Sequence, residues 1–254
     1  MSPSRNVAIF SLAYPPFVGG AEVAAKEITG RSPDFNFVVF THRFDEKWPA
    51  TEQSGNVRIS RLGKGSANTN YYGRFWEKAL YVWRAWRATE RANREQRFTL
   101  IWAIMAAYGG LAALLFKLRH PSVPLLLTLQ EGDSEEHILR RVGIFYPLWK
   151  LLFKKADQIQ VISHYLADFA RRHGATCPIE VIPNGVDLQK FKVESLKLKG
   201  NQKVIITTSR LVYKNGVDIL IRAIAVIAIR QLAEKQSPGD RHGLRPRDDI
   251  KLQI

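Results

Sequence analysis

Short runs of β-branched and aliphatic residues alternate along this chain with longer amphipathic segments. A short apolar run is typical of a buried strand, and a longer amphipathic segment is typical of a helix that covers a sheet. We therefore expect an α/β fold with a mostly parallel, Rossmann-like sheet. The predicted strands lie at residues 7–13, 35–41, 57–62, 99–104, 125–129, 158–162 and 180–182. The predicted helices lie at residues 21–30, 72–96, 108–119, 146–155 and 164–173.

The same alternation restarts late in the chain, after a polar and lysine-rich stretch. Residues 204–208 have the pattern of a strand, and a helix is predicted to begin near Asn215. We therefore predict a complete domain over residues 1–190, a linker over 191–202 and the start of a second Rossmann-like domain over 203–254. Within that second domain, residues 236–249 are rich in charge, Pro and Gly, which predicts a loop, and residues 250–254 have the pattern of another strand.

Basic residues are in excess, with 38 Lys and Arg against 23 Asp and Glu, a formal net charge of +15. This charge predicts attraction to polyanions, phospholipid surfaces or phosphorylated substrates, and it does not discriminate among them. No nucleic-acid recognition motif is present in the sequence, so we do not expect a nucleic-acid partner. The six histidines are scattered and lack metal-ligand spacing, so we expect no metal site.

Features of the sequence that bear on location favour the cytoplasm. The single cysteine, Cys177, has no partner for an internal disulfide, which favours a reducing compartment. The apolar run at residues 7–13 is short and leads into two prolines, unlike a signal peptide. No run of about 18 apolar residues could span a bilayer.

Aromatic and basic residues are interleaved over residues 71–97 and again over 140–155. At helical spacing one face of the first segment carries Tyr72, Phe75 or Trp76, Ala79, Trp83 and Trp86. That face could pack on the sheet, which is the simpler interpretation, or lie in a lipid interface with basic flanks. Peripheral attachment to the inner face of the plasma membrane is therefore an alternative to a purely cytoplasmic location.

Three segments carry candidate binding chemistry. Residues 11–22 form a strand end, a loop with two prolines, and then Gly19 and Gly20 at the start of a helix, where backbone N–H groups could approach a phosphate or a sugar oxygen. Residues 179–187 end a strand with Pro-Asn-Gly, which favours a sharp turn. Residues 207–218 end a strand with Arg210 and Lys214, two cations that could bind a diphosphate. Read singly, each segment is more simply interpreted as a tight turn or as surface charge.

In this order, the three segments resemble family 4 glycosyltransferases, which have the GT-B fold. The resemblance covers nearly the whole chain. It implies two Rossmann-like domains facing a cleft, a nucleotide-sugar donor, a glycan or lipid-linked acceptor, retention of anomeric configuration, and no cofactor or metal. It places Gly19 and Gly20 near the transferred sugar or its phosphates, and Arg210 and Lys214 near the donor diphosphate.

The sequence departs from the family pattern in ways that affect the predicted site. Many relatives have His-Asp after the central strand, whereas this chain has Gln130-Glu131-Gly132-Asp133. Glu131 or Asp133 could take a polar role at the sugar, or either could be an exposed loop carboxylate. The sequence names no catalytic residue.

The family's glycine-rich loop and glutamate pair, which hold the donor, would follow residue 254, so we expect the 254 residues alone to have negligible activity. The alternative function is a non-catalytic basic module that binds membrane or nucleic acid.

Overall fold

The fold is built on a mostly parallel eight-stranded sheet. A computed structural model of the chain describes residues 5–65, 75–190, 205–209, 211 and 215–235. The strand order is β3-β4-β2-β1-β5-β6-β7-β8, and only β3 is antiparallel to its neighbour. The strands are β1 (Arg5–Phe10), β2 (Phe35–His42), β3 (Thr51–Ser54), β4 (Val57–Leu62), β5 (Leu100–Ile104), β6 (Leu125–Leu129), β7 (Gln158–Val161) and β8 (Ile179–Val181). The predicted fold class is confirmed.

Helices connect the parallel strands. They are α1 (Gly20–Gly30), α2 (Phe75–Glu95), α3 (Tyr108–Arg119), α4 (Glu135–Val142), α5 (Tyr146–Lys155), α6 (His164–Arg172) and α7 (Val217–Lys235). Short 3-10 helices lie at Gly143–Phe145 and Leu188–Lys190. Neighbouring parallel strands must be joined by a crossover connection. The pairs β1–β2, β1–β5 and β5–β6 are parallel, and α1, α2 and α3 lie in the connections that join them.

The core lies on both faces of the sheet, as expected for parallel strands that are largely apolar. Phe10 points to the face covered by α2, α3, α5 and α6, whereas Ile9 points to the face covered by α1. Both side chains are fully buried. β1 is therefore covered on both faces in the middle of the sheet.

Two elements were missed by the sequence analysis. β3 is entirely polar and exposed, and it exists because its backbone pairs with β4, which no hydrophobic pattern reveals. α4 buries no residue, but Ser134 caps it by accepting a hydrogen bond from the His137 backbone N–H. Its first turn is acidic and its last turn is basic, which suits the helix dipole.

The buried face of α2 differs from the one that the aromatic spacing predicts. Tyr81, Ala85 and Thr89 are fully buried against the sheet, whereas Trp76 is 72% exposed and Trp83 is 52% exposed. The Tyr81 hydroxyl donates to the Phe40 carbonyl, which fixes the rotation of the helix. The interpretation that Trp76 and Trp83 face the core was wrong, because the small Ala85 lets the helix approach the sheet on its own side.

The chain divides into two compact units, Met1–Val186 and Asp187–Ile254. In the second unit α7 is present, as predicted near Asn215. The strand predicted at 204–208 is wrong over 205–208, where the structure has no strand; the described part of this unit contains no neighbouring strand for it to pair with. The linker at 191–202, the loop at 236–249 and the strand at 250–254 lie outside the described residues. The predicted domain boundaries stay predictions.

A membrane-spanning helix would need a long apolar surface. Among the helices that the structure describes, none is both long and apolar enough to cross a bilayer.

Candidate functional site

The strand order reverses beside β1. The chain first builds outward through β2 and β4, and α2 then returns it to place β5 on the other side of β1. The loops that leave β1 and β5 lead to α1 and α3, which lie on opposite faces of the sheet. In open parallel sheets such a reversal leaves a crevice at the carboxyl ends of the two strands, and ligands bind there. We call this region the switch-point crevice.

The loop after β1 brings Gly19 and Gly20 to one side of the switch-point crevice. Gly19 is the N-cap of α1 and has extended backbone angles, and no side chain caps the helix. A Cβ on Gly20 would meet no heavy atom within 4 Å, so open space lies in front of this residue. The first turn of α1 therefore combines an accessible backbone with the positive end of a helix dipole, as the sequence predicts for these glycines.

Glu22 lies behind the glycine pair. A Cβ on Gly19 would overlap the Glu22 carboxylate, so the absence of a side chain at Gly19 gives this carboxylate its place. Glu22 is only 7% exposed, and burial raises the pKa of its carboxyl group. A hydrogen bond to its own backbone N–H opposes that rise. The Glu22 carboxyl group therefore lies inside the protein, next to the positive N-terminal end of α1.

The turn from β5 to α3 forms the other side of the switch-point crevice, and the sequence analysis missed it. Met105 takes a positive φ of 66°, an uncommon conformation for a residue with a side chain. A Cβ on Gly109 would lie 2.8 Å from the Phe10 carbonyl oxygen, so only glycine lets α3 approach the end of β1 this closely. The sequence signal that could have revealed this turn is the glycine pair at 109 and 110. This pair begins the apolar helix α3, as residues 19 and 20 begin α1.

Glu131 follows β6 and bridges to this turn. Its Oε1 accepts a hydrogen bond from the Ala106 backbone N–H at 2.7 Å. Its Oε2 is buried and has no hydrogen-bond partner among the described residues. Burial raises the pKa of the Glu131 carboxyl to about 7, against the opposing effect of backbone hydrogen bonds. Glu131 is therefore not an exposed loop carboxylate, which the sequence had left as an alternative.

Asp133, two residues later, has a different environment. Its carboxylate forms an ion pair at 3.5 Å with Arg141 on α4, and its side chain is 36% exposed. The pair connects the loop after β6 to α4. Asp133 thus matches the interpretation of a surface loop carboxylate, while its contact with a sugar stays a prediction.

The loop after β8 also reaches the loop after β6. The Asn184 amide donates to Gln130 Oε1 at 2.9 Å, and Gln160 donates to the Ile182 carbonyl at 2.7 Å. The Pro-Asn-Gly turn is therefore held to the central strands by side chains. The sequence predicted a sharp turn at Pro-Asn-Gly and did not reveal Gln130 as the partner of Asn184.

Arg61 on β4 holds the loop after β1 in place through a hydrogen bond. Its side chain is 2% exposed and donates to the Pro15 carbonyl at 2.8 Å. The same guanidinium pairs with Glu52 on β3 at 2.7 Å and donates to the Pro49 carbonyl. One buried cation therefore joins the loop at residues 11–19 to the sheet edge.

Arg210 and Lys214, the predicted diphosphate ligands, lie outside the described residues, so their positions relative to Gly19 and Gly20 stay predictions. Across the ranges that the structure describes, no three His, Cys, Asp or Glu side chains group in a way that could hold a metal ion.

The sequence profile described as Glycosyltransferase Family 4 matches residues 18–190, more than half of the chain. The chain belongs to glycosyltransferase family 4. The resemblance seen in the sequence motifs is thereby confirmed. The matched range includes Gly19, Gly20, Glu131 and Asp133. A search of curated proteins found no match to the sequence.

Solved structures with the GT-B fold resemble this family 4 member. A sucrose-phosphate synthase from Thermosynechococcus elongatus is 16% identical, with a TM-score of 0.65, and the match covers 98% of this chain and 70% of that one. HepE from Anabaena, solved in complex with UDP and glucose, is 17% identical, with a TM-score of 0.58, and the match covers 87% of this chain and 58% of that one. At these identities the likeness shows the shared fold.

Proposed function

We propose that this protein transfers a sugar from a nucleotide-sugar donor to a glycan or lipid-linked acceptor, with retention of anomeric configuration. The observation that carries the proposal is the family 4 match over residues 18–190. The open space in front of Gly20 at the switch-point crevice supports it, since a sugar or phosphate oxygen can approach the backbone there. The comparisons give no support to the alternative of a non-catalytic basic module.

The donor is a nucleotide-sugar that serves as substrate, and no cofactor or metal takes part in the proposed reaction. HepE, which shares the fold, was solved with UDP and glucose, and this supports a nucleotide-sugar of that class. Gly19 and Gly20 contact the transferred sugar or its phosphates, and Arg210 and Lys214 contact the donor diphosphate. A diphosphate is well matched by such cations, which also stabilise it as it leaves.

The two acidic candidates have different proposed roles. Glu131 already uses one carboxylate oxygen to hold Ala106, so we assign it to positioning the turn after β5. Asp133 is more exposed and lies on the loop beside it, so it is the better candidate for a direct contact with a sugar hydroxyl. Neither is assigned a chemical step.

A substitution at Gly20 tests the binding role. Gly20→Leu fits the fold, because a Cβ there meets nothing within 4 Å, but its side chain would fill the space proposed for the ligand. Gly30→Leu is the matched control, since Gly30 lies at the other end of α1 and also faces open space. Ligand-detected NMR with a panel of nucleotide-sugars should show binding to the unchanged protein and to Gly30→Leu, and much weaker binding to Gly20→Leu. No binding by the unchanged protein, or equal binding by both variants, contradicts the proposal that the glycine pair itself binds the ligand.

Sugar transfer by the 254 residues alone is a separate question. We expect negligible transfer of labelled sugar to oligosaccharide or lipid acceptors, because the family's remaining donor-binding motifs are not in this sequence. Measurable transfer would contradict that expectation and support the transferase function directly.

We also propose that the protein attaches peripherally to an anionic membrane surface on the cytoplasmic side, which suits a lipid-linked acceptor. Support comes from α2, where Trp76, Leu80 and Trp83 are exposed on a helix rich in arginine. Leu80→Ser should weaken sedimentation with anionic vesicles. Ile28→Ser on α1 is a matched control, because Ile28 is 49% exposed and Leu80 is 47% exposed. Equal effects of the two substitutions would argue against a role for α2.

A further inference from the structure

A groove of about 350 Å³ lies between α2 and the end of β4, within the first unit. Gly63, Trp83, Arg84, Arg87 and Arg91 are among its lining residues, and no acidic residue lines it in the part of the chain that the structure describes. None of them belongs to the switch-point crevice. The groove therefore concentrates positive charge outside the switch-point crevice.

The three arginines share one side of α2, because their spacing of three and four residues corresponds to successive turns of a helix. Within the described part of the chain, no carboxylate forms an ion pair with any of them. Arg87 lies over the Trp83 ring, with 5.7 Å from its guanidinium carbon to the ring centroid. That contact orients the cation and leaves its N–H donors available.

Gly63 leaves the backbone bare at one end of the groove. Its φ of +106° is a conformation that residues with side chains rarely adopt. A Cβ at this position would lie 3.2 Å from Arg84 Nη1 and 3.6 Å from His42 Nδ1. Arg84 and His42 therefore converge on the same point.

His42, which lies beside Gly63, is a second indication that the groove takes a polar ligand. The residue is only 8% exposed, and its Nδ1 is buried without a hydrogen-bond partner among the described residues. A buried polar atom of this kind has a cost that a bound group of the right charge can offset. An anion held by Arg84 would lie close enough to stabilise the imidazolium form of His42.

We propose that this groove binds a phosphate group. Guanidinium groups match the geometry of phosphate oxygens and bind them through paired N–H donors. The Trp83 ring provides an apolar wall for whatever carries the phosphate. A phospholipid headgroup and a soluble sugar phosphate share this chemistry, and the proposal does not depend on sugar transfer.

The first experiment uses inorganic phosphate and observes the His42 imidazole by NMR over a range of pH. Burial lowers the pKa of His42, and nearby Arg84 and Lys78 lower it further, whereas Glu77 and a hydrogen bond to the Leu62 backbone raise it. Bound phosphate should raise the His42 pKa in a saturable way, with chloride at the same ionic strength as the reference. No saturable change at His42 in the unchanged protein would overturn the proposal.

Substitution of one arginine gives the matched comparison. Arg84→Gln should weaken phosphate binding about tenfold, because it removes a charge-assisted contact. Arg94→Gln removes the same charge from the same helix at a position outside the groove lining, so it should leave binding within about twofold, through weak long-range electrostatics alone. Equal weakening by the two substitutions would show general charge attraction and overturn the proposal.

The second experiment distinguishes the two sources of phosphate. The probes are glucose 1-phosphate and vesicles of phosphatidylcholine with or without phosphatidylglycerol. A lipid headgroup predicts Arg84-dependent binding to the anionic vesicles, whereas a soluble source predicts that glucose 1-phosphate binds more tightly than inorganic phosphate. Either result supports a phosphate site, and binding of both probes that is insensitive to Arg84→Gln refutes it.

Discussion

The carboxylate of Glu131 and the backbone N–H of Ala106 form a 2.7 Å hydrogen bond that ties the end of β6 to the turn after β5. The same turn contains Met105 with its positive φ, and the Trp149 indole donates to the Ala106 carbonyl. Ala106 is thus held through both of its backbone polar groups. The side of the switch-point crevice formed by this turn is therefore set by contacts from β6 and α5.

Glu131→Gln should change how stability depends on pH. The folded protein raises the pKa of this carboxyl from 4.5 to about 7, so the fold favours the protonated form. The stabilisation associated with that proton is fully present below pH 4.5 and is lost as the pH rises towards 7. The amide that replaces the carboxyl does not ionise, so the variant should gain about 1–3 kcal/mol relative to the unchanged protein between about pH 5 and pH 8. Urea unfolding at the two pH values measures this, and parallel curves would contradict the assignment.

Gly109→Ala should destabilise the protein by about 1–3 kcal/mol, because the new Cβ would lie 2.8 Å from the Phe10 carbonyl and force α3 away from β1. Gly30→Ala is the control, since a Cβ there meets nothing within 4 Å, and it should stay within about 0.5 kcal/mol. Thermal unfolding compares the two. Similar melting temperatures for both variants would mean that α3 can move without cost.

Tyr81→Phe removes the hydroxyl that holds α2 to β2. The Phe40 carbonyl keeps a longer hydrogen bond from the Ser11 N–H at 3.3 Å, so we expect a loss of only about 1 kcal/mol. Tyr165→Phe makes the same chemical change at a residue that is 54% exposed and should be nearly neutral. Chemical denaturation measures both, and an equal effect would remove Tyr81 as the anchor of the helix.

Lys117→Met should cost about 2–4 kcal/mol, because it leaves several oxygens without a partner. The ammonium group is nearly buried and contacts the Pro121 and Val123 carbonyls at 2.9 Å and Asp157 at 2.8 Å. Lys155→Met, at an exposed position on α5, is the control and should change stability little. Equal unfolding free energies for the two variants would show that the contacts of Lys117 contribute nothing net.

The parallel sheet was predictable because the central strands are largely apolar, as in β1 after Asn6, and because amphipathic segments of crossover length separate the strands. β3 was not predictable, since its order comes from backbone pairing and its side chains carry no pattern. The prediction of which face of α2 is buried was wrong for a related reason. Aromatic spacing suggested one face, but the close approach permitted by Ala85 and the Tyr81 hydrogen bond selected another.

At the candidate site, Gly19 and Gly20 could be found because a glycine pair that opens a helix is a local signal. The burial of Glu131 could not, because it depends on a turn 25 residues earlier in the chain. The groove at Gly63 was also invisible in the sequence, since it needs the end of β4 and successive turns of α2 to lie side by side.

The guanidinium of Arg61 has a consequence for how this protein's shape can vary. Because it bonds Pro15 on one side and Glu52 and Pro49 on the other, it couples the position of the β3–β4 hairpin to that of the loop leading to Gly19. We therefore expect an insertion or deletion near residues 49–52 to displace the loop beside the switch-point crevice, although no residue of the hairpin needs to contact a ligand.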